Sequence, residues 1–158
     1  MKKLFSSLML ASSLLSCGKV CNINHQMTTG IEHFLRETSF YEYVITNIDE
    51  IKYFETLDYG DRLNTAKSTY YPETGCCIAS VALKANITQD EYVDSKTKEY
   101  PKAKVKRENI DIAGSLVHEA AHCESKSSDE EYPDKKQDEY YHKAVFVEDI
   151  EKDEMDVD

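Results

Sequence analysis

The sequence has no tryptophan, and its 158 residues carry 19 Lys and Arg against 30 Asp and Glu. The shortage of positive charge, a formal net −11, argues against nucleic acid and anionic membrane surfaces as partners, because a basic patch must neutralise several phosphates at once. Without tryptophan, aromatic packing falls to 11 Tyr and 5 Phe, so most rings bring a hydroxyl and several belong at the edge of a core. There is no internal repeat, and the uncharged run that opens the chain, Leu4 to Ser16, is too short to span a bilayer as a mature helix. What is present is ordinary: 41% hydrophobic and 31% charged residues in a chain of single-domain length, which places it among folded globular domains despite its acidity.

Residues 1–16, MKKLFSSLMLASSLLS, join two lysines to a short apolar stretch, the anatomy of an export signal. Their end, Leu14-Leu15-Ser16-Cys17, resembles the lipobox of bacterial lipoproteins, and the resemblance implies cleavage before Cys17 and lipidation of its thiol. Several acyl chains anchor strongly, since each buried methylene contributes about 0.8 kcal/mol. Gly18 stands where an inner-membrane retention signal would place Asp, so the resemblance implies a bacterial envelope location, at the outer membrane or cell surface. Cys21, Cys76, Cys77 and Cys123 then remain, an even number in a disulfide-permissive compartment, with three full pairings open. Cys76 and Cys77 are neighbours in a β-like run and point to opposite faces, so they should have different partners, and a bridge involving Cys123 is expected.

The organisation expected is a signal (1–16), a polar tether (17–29), one domain (30–150) and an acidic, frayed tail (151–158). From Thr38, TSFYEYVITNIDEIKYFETL sets Tyr41, Val44, Ile45, Ile48 and Ile51 at helical spacing, opened by Ser39 with Glu42 as a capping box, and predicts one long amphipathic helix. Turn signals at Tyr59-Gly60-Asp61 and Pro72-Glu73-Thr74-Gly75 lead to a β-branched, apolar segment, Cys76 to Ile87, read as a strand of a short sheet. Gln89 to Arg107 reads as a solvated hairpin or loop, a helix begins near Asn109, and a last helix runs from about Asp134 to Ile150 after Pro133.

The chemistry sits in Val117-His118-Glu119-Ala120-Ala121-His122. In a helix, residues four apart lie about 40° apart around the axis, so His118 and His122 share a face and both imidazoles can reach one metal ion. Glu119 projects beside them, placed to take a proton from a metal-held water without being a ligand. His25 and His33 lie in the tether and an early amphipathic stretch and are read as structural.

The stretch from Asn109 to His122, NIDIAGSLVHEAAH, resembles the active-site helix of zincin metallopeptidases, particularly small gluzincin-like bacterial proteins. The longer HExxHxxGxxH pattern is absent, because Glu124-Ser125-Lys126-Ser127-Ser128 supplies neither that glycine nor a third histidine. The resemblance therefore implies a third ligand from a later helix. Glu139, seventeen residues after His122, is the first choice, with Asp138 and His142 as alternatives. It implies a small α+β zincin-like domain with a long N-terminal helix, a short sheet, the HExxH helix and a C-terminal ligand-bearing helix. The activity implied is hydrolysis of a peptide or protein substrate, with Zn2+ held by His118, His122 and Glu139 and with Glu119 as general base. Tyr132, Tyr140 and Tyr141 are candidates to stabilise the oxyanion. The rival reading is a noncatalytic surface lipoprotein that keeps such a scaffold for a partner or a structural metal. Oligomeric state is left open.

Overall fold

The computed structural model describes residues 20–59, 62–63, 65–85 and 105–150. Cys17 with its lipobox, most of the polar 89–107 segment and the 151–158 tail lie outside the described residues. The first helix, α1 (Thr29–Glu37), starts where the Thr28 hydroxyl accepts from the Ile31 N–H, and buries Ile31, Phe34 and Leu35 at spacings of three and four. It ends at Thr38, whose hydroxyl donates back to Phe34 O at 2.7 Å.

The long helix expected from Ser39 is not formed. Ser39 adopts φ +64° and caps nothing; α2 covers only Tyr41–Asn47 with Phe40 at its N-cap, and the chain turns extended at Ile48. Glu50–Phe54 become strand β1. The reason is long-range pairing: Asp49 donates its N–H to Cys77 O at 2.9 Å and accepts the Cys77 N–H on its carboxylate at 2.8 Å, which starts β1 in register beside a distant strand. Ile48 and Ile51 are both buried in either geometry, so their spacing alone could not separate helix from strand.

Two short segments, β2 (Asp58–Tyr59) and β3 (Arg62–Leu63), pair antiparallel around the expected turn. The main sheet joins β1 to β4 (Ala66–Tyr71) and β5 (Cys76–Ala82) in the order β1-β5-β4. β1 runs parallel to β5 from Glu50↔Ile78 to Phe54↔Ala82, while β4 and β5 form a hairpin from Ala66↔Val81 to Tyr71↔Cys76. Its turn is the expected 72–75 segment, where Gly75 takes φ +71° and donates to Tyr71 O at 2.7 Å, a left-handed position that suits glycine. β5 is the central strand, with five of its seven residues buried. The expected strand to Ile87 breaks after Ala82; Lys84–Ala85 (β6) instead pair antiparallel with Val105–Lys106 (β7).

Helix α3 (Asn109–Ser125) packs across the sheet, flanked by α1, α2 and the last helix, α4 (Glu131–Ala144). Its apolar stripe, Ile112, Ala113, Leu116, Val117 and Ala120, is fully inside. Gly114 lets α4 approach closely: a Cβ there would stand 2.7 Å from the Tyr141 hydroxyl and 3.1 Å from the Tyr140 ring. Tyr140 is buried and donates to Ile110 O at 2.8 Å, so a hydroxyl that enters the core is hydrogen-bonded. Pro133 sits inside the first turn of α4, where its missing N–H costs no helix bond, so the helix begins before the proline and not after it.

Two disulfides close the fold, Cys21–Cys76 and Cys77–Cys123. The neighbours Cys76 and Cys77 do take different partners, as their opposite faces require. The segment read as a tether is held from Cys21 onward: besides its disulfide, Asn24 bridges to Glu50 and His25 Nε2 meets Ile48 O at 2.6 Å. Among the described residues the architecture is mixed α+β, with four helices and a small three-stranded sheet. No helix among the described residues is long and apolar enough to cross a membrane.

Candidate metal centre

Helix α3 presents His118 and His122 one turn apart at its C-terminal end, with their rings edge to face and 4.9 Å between centroids. The chain then reverses at Lys126 and returns Glu130, the N-cap residue of α4, to the same point. His118 Nε2 lies 3.0 Å from Glu130 Oε2, His122 Nε2 lies 3.3 Å from the same oxygen, and the two Nε2 atoms are 3.2 Å apart. These three atoms form one of two ligand-bearing clusters among the described residues. The other, Cys21, Asp49 and Cys76, has both its sulfurs committed to a disulfide.

The rings are oriented from behind. His122 Nδ1 is 2.8 Å from the Ser127 carbonyl, which can only accept, so Nδ1 carries the proton and Nε2 offers its lone pair to the cluster. His118 Nδ1 is buried without a hydrogen bond, with Asp134 Oδ1 at 3.6 Å. Three acceptor-type atoms this close repel one another unless a proton or a cation lies between them. A tetrahedral ion with bonds of about 2.0–2.1 Å has ligand edges of about 3.3–3.4 Å, and the observed separations of 3.0–3.3 Å come near that triangle.

Glu119 is 5% exposed, at the floor of a cleft of about 530 Å³ that it lines with His122, Glu130, Ser68 and Tyr70. Burial pushes its carboxyl above the usual range, against the opposing pull of a Ser68 hydrogen bond and of the two histidines; Glu130 adds to the rise. Ser68 and Tyr70 come from alternate positions of β4, so this edge strand forms one wall of the cleft.

The expected residues divide. His118, Glu119 and His122 come together; Glu139 does not join them. It lies eight positions into α4, half-exposed, with Oε2 3.4 Å from Lys136 Nζ. The buried Tyr140 and Ala144 set which side of α4 faces inward, and Glu139 is about 100° from Tyr140 around the axis. His142 bonds its own helix through Asp138 O at 2.7 Å. Among the described residues the third group beside the histidines is Glu130. The signal for it was an acidic pair, Glu130-Glu131, just before a proline and close enough to His122 for a tight reversal. The three tyrosines considered for the oxyanion have other engagements: Tyr132 with Glu124 at 2.6 Å, Tyr140 with Ile110 O, and Tyr141 with Asp111 at 3.1 Å. The tyrosine lining the cleft is Tyr70. His33 Nε2 meets Glu148 O at 3.1 Å, and His25 and His33 both lie against backbone carbonyls outside the cluster.

Comparison with protein-family models, with curated proteins and with solved structures returned no match for this chain.

Proposed function

We propose that the chain is a zinc-dependent peptide hydrolase of the zincin type, exported and held in a bacterial envelope by lipid on Cys17. The observation that carries the hydrolytic part is the convergence of His118 Nε2, His122 Nε2 and Glu130 Oε2 within 3.0–3.3 Å, beside a buried carboxylate that is not part of the triangle. Such a donor set suits zinc, to which His118 and His122 would offer nitrogen and Glu130 oxygen. A zinc ion held there would supply Lewis acidity to the scissile carbonyl and would bring the pKa of water toward neutrality. Glu119 takes the proton from the attacking water and returns it to the leaving amine, and the Ser68 hydrogen bond orients its carboxylate for that transfer. An extended peptide can lie along β4, an edge strand among the described residues, and pair with it backbone to backbone. The lipid anchor is supported by Leu14-Leu15-Ser16-Cys17 after an export-type run.

The test is zinc content and peptide turnover in the wild type and in Glu119→Gln. One equivalent of zinc in both, with turnover of a mixed peptide library reduced by about 100-fold or more in the variant, is the expected result. Zinc without turnover in the wild type would favour the noncatalytic lipoprotein, and no zinc after reconstitution would sink the metal site altogether.

A further inference from the structure

The two neighbouring cysteines divide the sheet. Cys77 points to the side on which α3 packs and is bonded to Cys123 of that helix, with α1, α2 and α4 packed in turn on α3. Cys76 points to the other side and is bonded to Cys21. Register sets Tyr71 opposite Cys76, and Phe54 opposite Ala82 at the far end of β5, so both rings stand on the Cys76 face, where both are exposed. β4 alternates in the same sense: Ser68 and Tyr70 are half-buried and line the cleft, while Thr69 and Tyr71 are exposed. Val20, whose carbonyl lies 3.6 Å from Cys76 Sγ, is 84% exposed, and Ile23, on the other side of Cys21 in the chain, is 62% exposed. The cleft thus uses one face of β4, and exposed apolar side chains gather around Cys21–Cys76 on the other.

We infer that this second face seats the domain on the bilayer that holds the Cys17 lipid, with Val20, Ile23 and Tyr71 entering the headgroup region of zwitterionic phospholipid. The inference deepens the lipid-anchored reading and rests on it. Chain length fixes the orientation. Gly18, Lys19 and Val20 alone separate Cys17 from Cys21, so even a fully extended chain keeps the bridged cysteine within about 14 Å of the lipid-bearing one. A domain of this size is about 35 Å across, so the face that carries Cys21–Cys76 is the near one. A tether this short holds that face at the membrane at an effective concentration in the millimolar range, at which a small apolar patch suffices. Tyrosine suits the headgroup level, where its ring is apolar and its hydroxyl wet. The charges around the seat, Glu50 and Lys52 of β1, Lys67 of β4 and Glu73 of the hairpin turn, are of both signs, which suits a zwitterionic surface and gives no attraction to an anionic one.

The lack of tryptophan makes the test direct, since one introduced Trp is then the sole indole in the protein. The lipid-bearing full chain is reconstituted into phosphatidylcholine vesicles with and without bromine on the acyl chains, as two variants: Tyr71→Trp on the seat, and Phe146→Trp at an exposed position just past α4, on the helical side. Bromine quenches an indole that reaches it; Tyr71→Trp should lose about half of its emission or more, and Phe146→Trp less than about a tenth. Adding Val20→Asp to Tyr71→Trp should cut the quenching at least about threefold while the protein stays on the vesicles. Val20 and Tyr71 are both exposed, so neither substitution is expected to lower the melting temperature. Flotation of the same vesicles separates the two failures. Protein that floats but is quenched equally at both sites, or not at all in Tyr71→Trp, overturns the seat and leaves the anchor in place. Quenching that survives Val20→Asp assigns the proximity to the tether alone and likewise overturns the seat. Protein that does not float overturns the anchor reading, and the seat falls with it.

Discussion

The two sides of the candidate metal cluster are built differently. His118 and His122 stand on a helix whose inner face is wholly buried and which is tied to the central strand by Cys77–Cys123, one residue beyond the second histidine. Glu130 stands on a short reversal, its side chain 64% exposed. The histidines are therefore preorganised by the fold, while the carboxylate is brought in by the path of five residues after α3. Fixed nitrogen ligands set where a metal sits; a carboxylate on an adjustable segment sets how tightly it is held.

Breaking the rigid side should give the largest effect. The Cys77–Cys123 bridge closes a separation of 46 residues, for which the chain-entropy argument gives about 4 kcal/mol. Cys77→Ser with Cys123→Ser should lower unfolding free energy toward that amount, read as a fall in the denaturant midpoint under oxidising conditions. An unchanged midpoint would mean that α3 is held by packing alone. The exposed side is tested by Glu130→Ala, which should keep the melting temperature of the metal-free protein and weaken zinc by at least about 100-fold, beyond the usual second-shell loss. Glu139→Ala is the contrast and should change zinc affinity by less than about twofold. Equal losses in the two variants, measured by competition with a chromogenic chelator, would return the third ligand to α4.

The legibility of the two regions follows the same division. The HExxH helix was readable because its signals are local: an apolar stripe at 3.6-residue spacing and two histidines four apart need no knowledge of the rest of the chain. The turn at 72–75 was readable from Pro72 and Gly75, and the separate partners of Cys76 and Cys77 from β geometry alone. The second helix was misread because Val44, Ile48 and Ile51 satisfy a helical period, while the deciding interaction, Asp49 with Cys77, spans 28 residues. Glu130 was passed over for a related reason. A side chain on a reversal has no period; its place depends on the left-handed turn at Lys126, and lysine is a poor signal for such a turn where glycine would be a strong one.

The smallest effect expected sharpens the comparison most, because it asks what holds the reversal itself. Tyr132, two residues after Glu130, donates to Glu124 Oε2 at 2.6 Å, and Tyr43 of α2 donates to the same oxygen at 2.7 Å. One carboxylate near the end of α3 thereby ties the first turn of α4 to two other helices, and the two hydroxyls hold the Glu124 carboxyl below its usual range. Tyr132→Phe removes one of these bonds and leaves the ring, the helix and Glu130 in place. Because the group is exposed, the cost in global stability should stay under about 1 kcal/mol. Zinc affinity should fall by about two- to fivefold, since Glu130 then spends part of its time away from the histidines. Tyr43→Phe, which breaks the other bond without touching α4, should weaken zinc less. If both variants bind zinc as the wild type does, the reversal is positioned by its own backbone, through the Lys126 turn and the Ser127 carbonyl on His122, and the tyrosine pair serves only to dock α2.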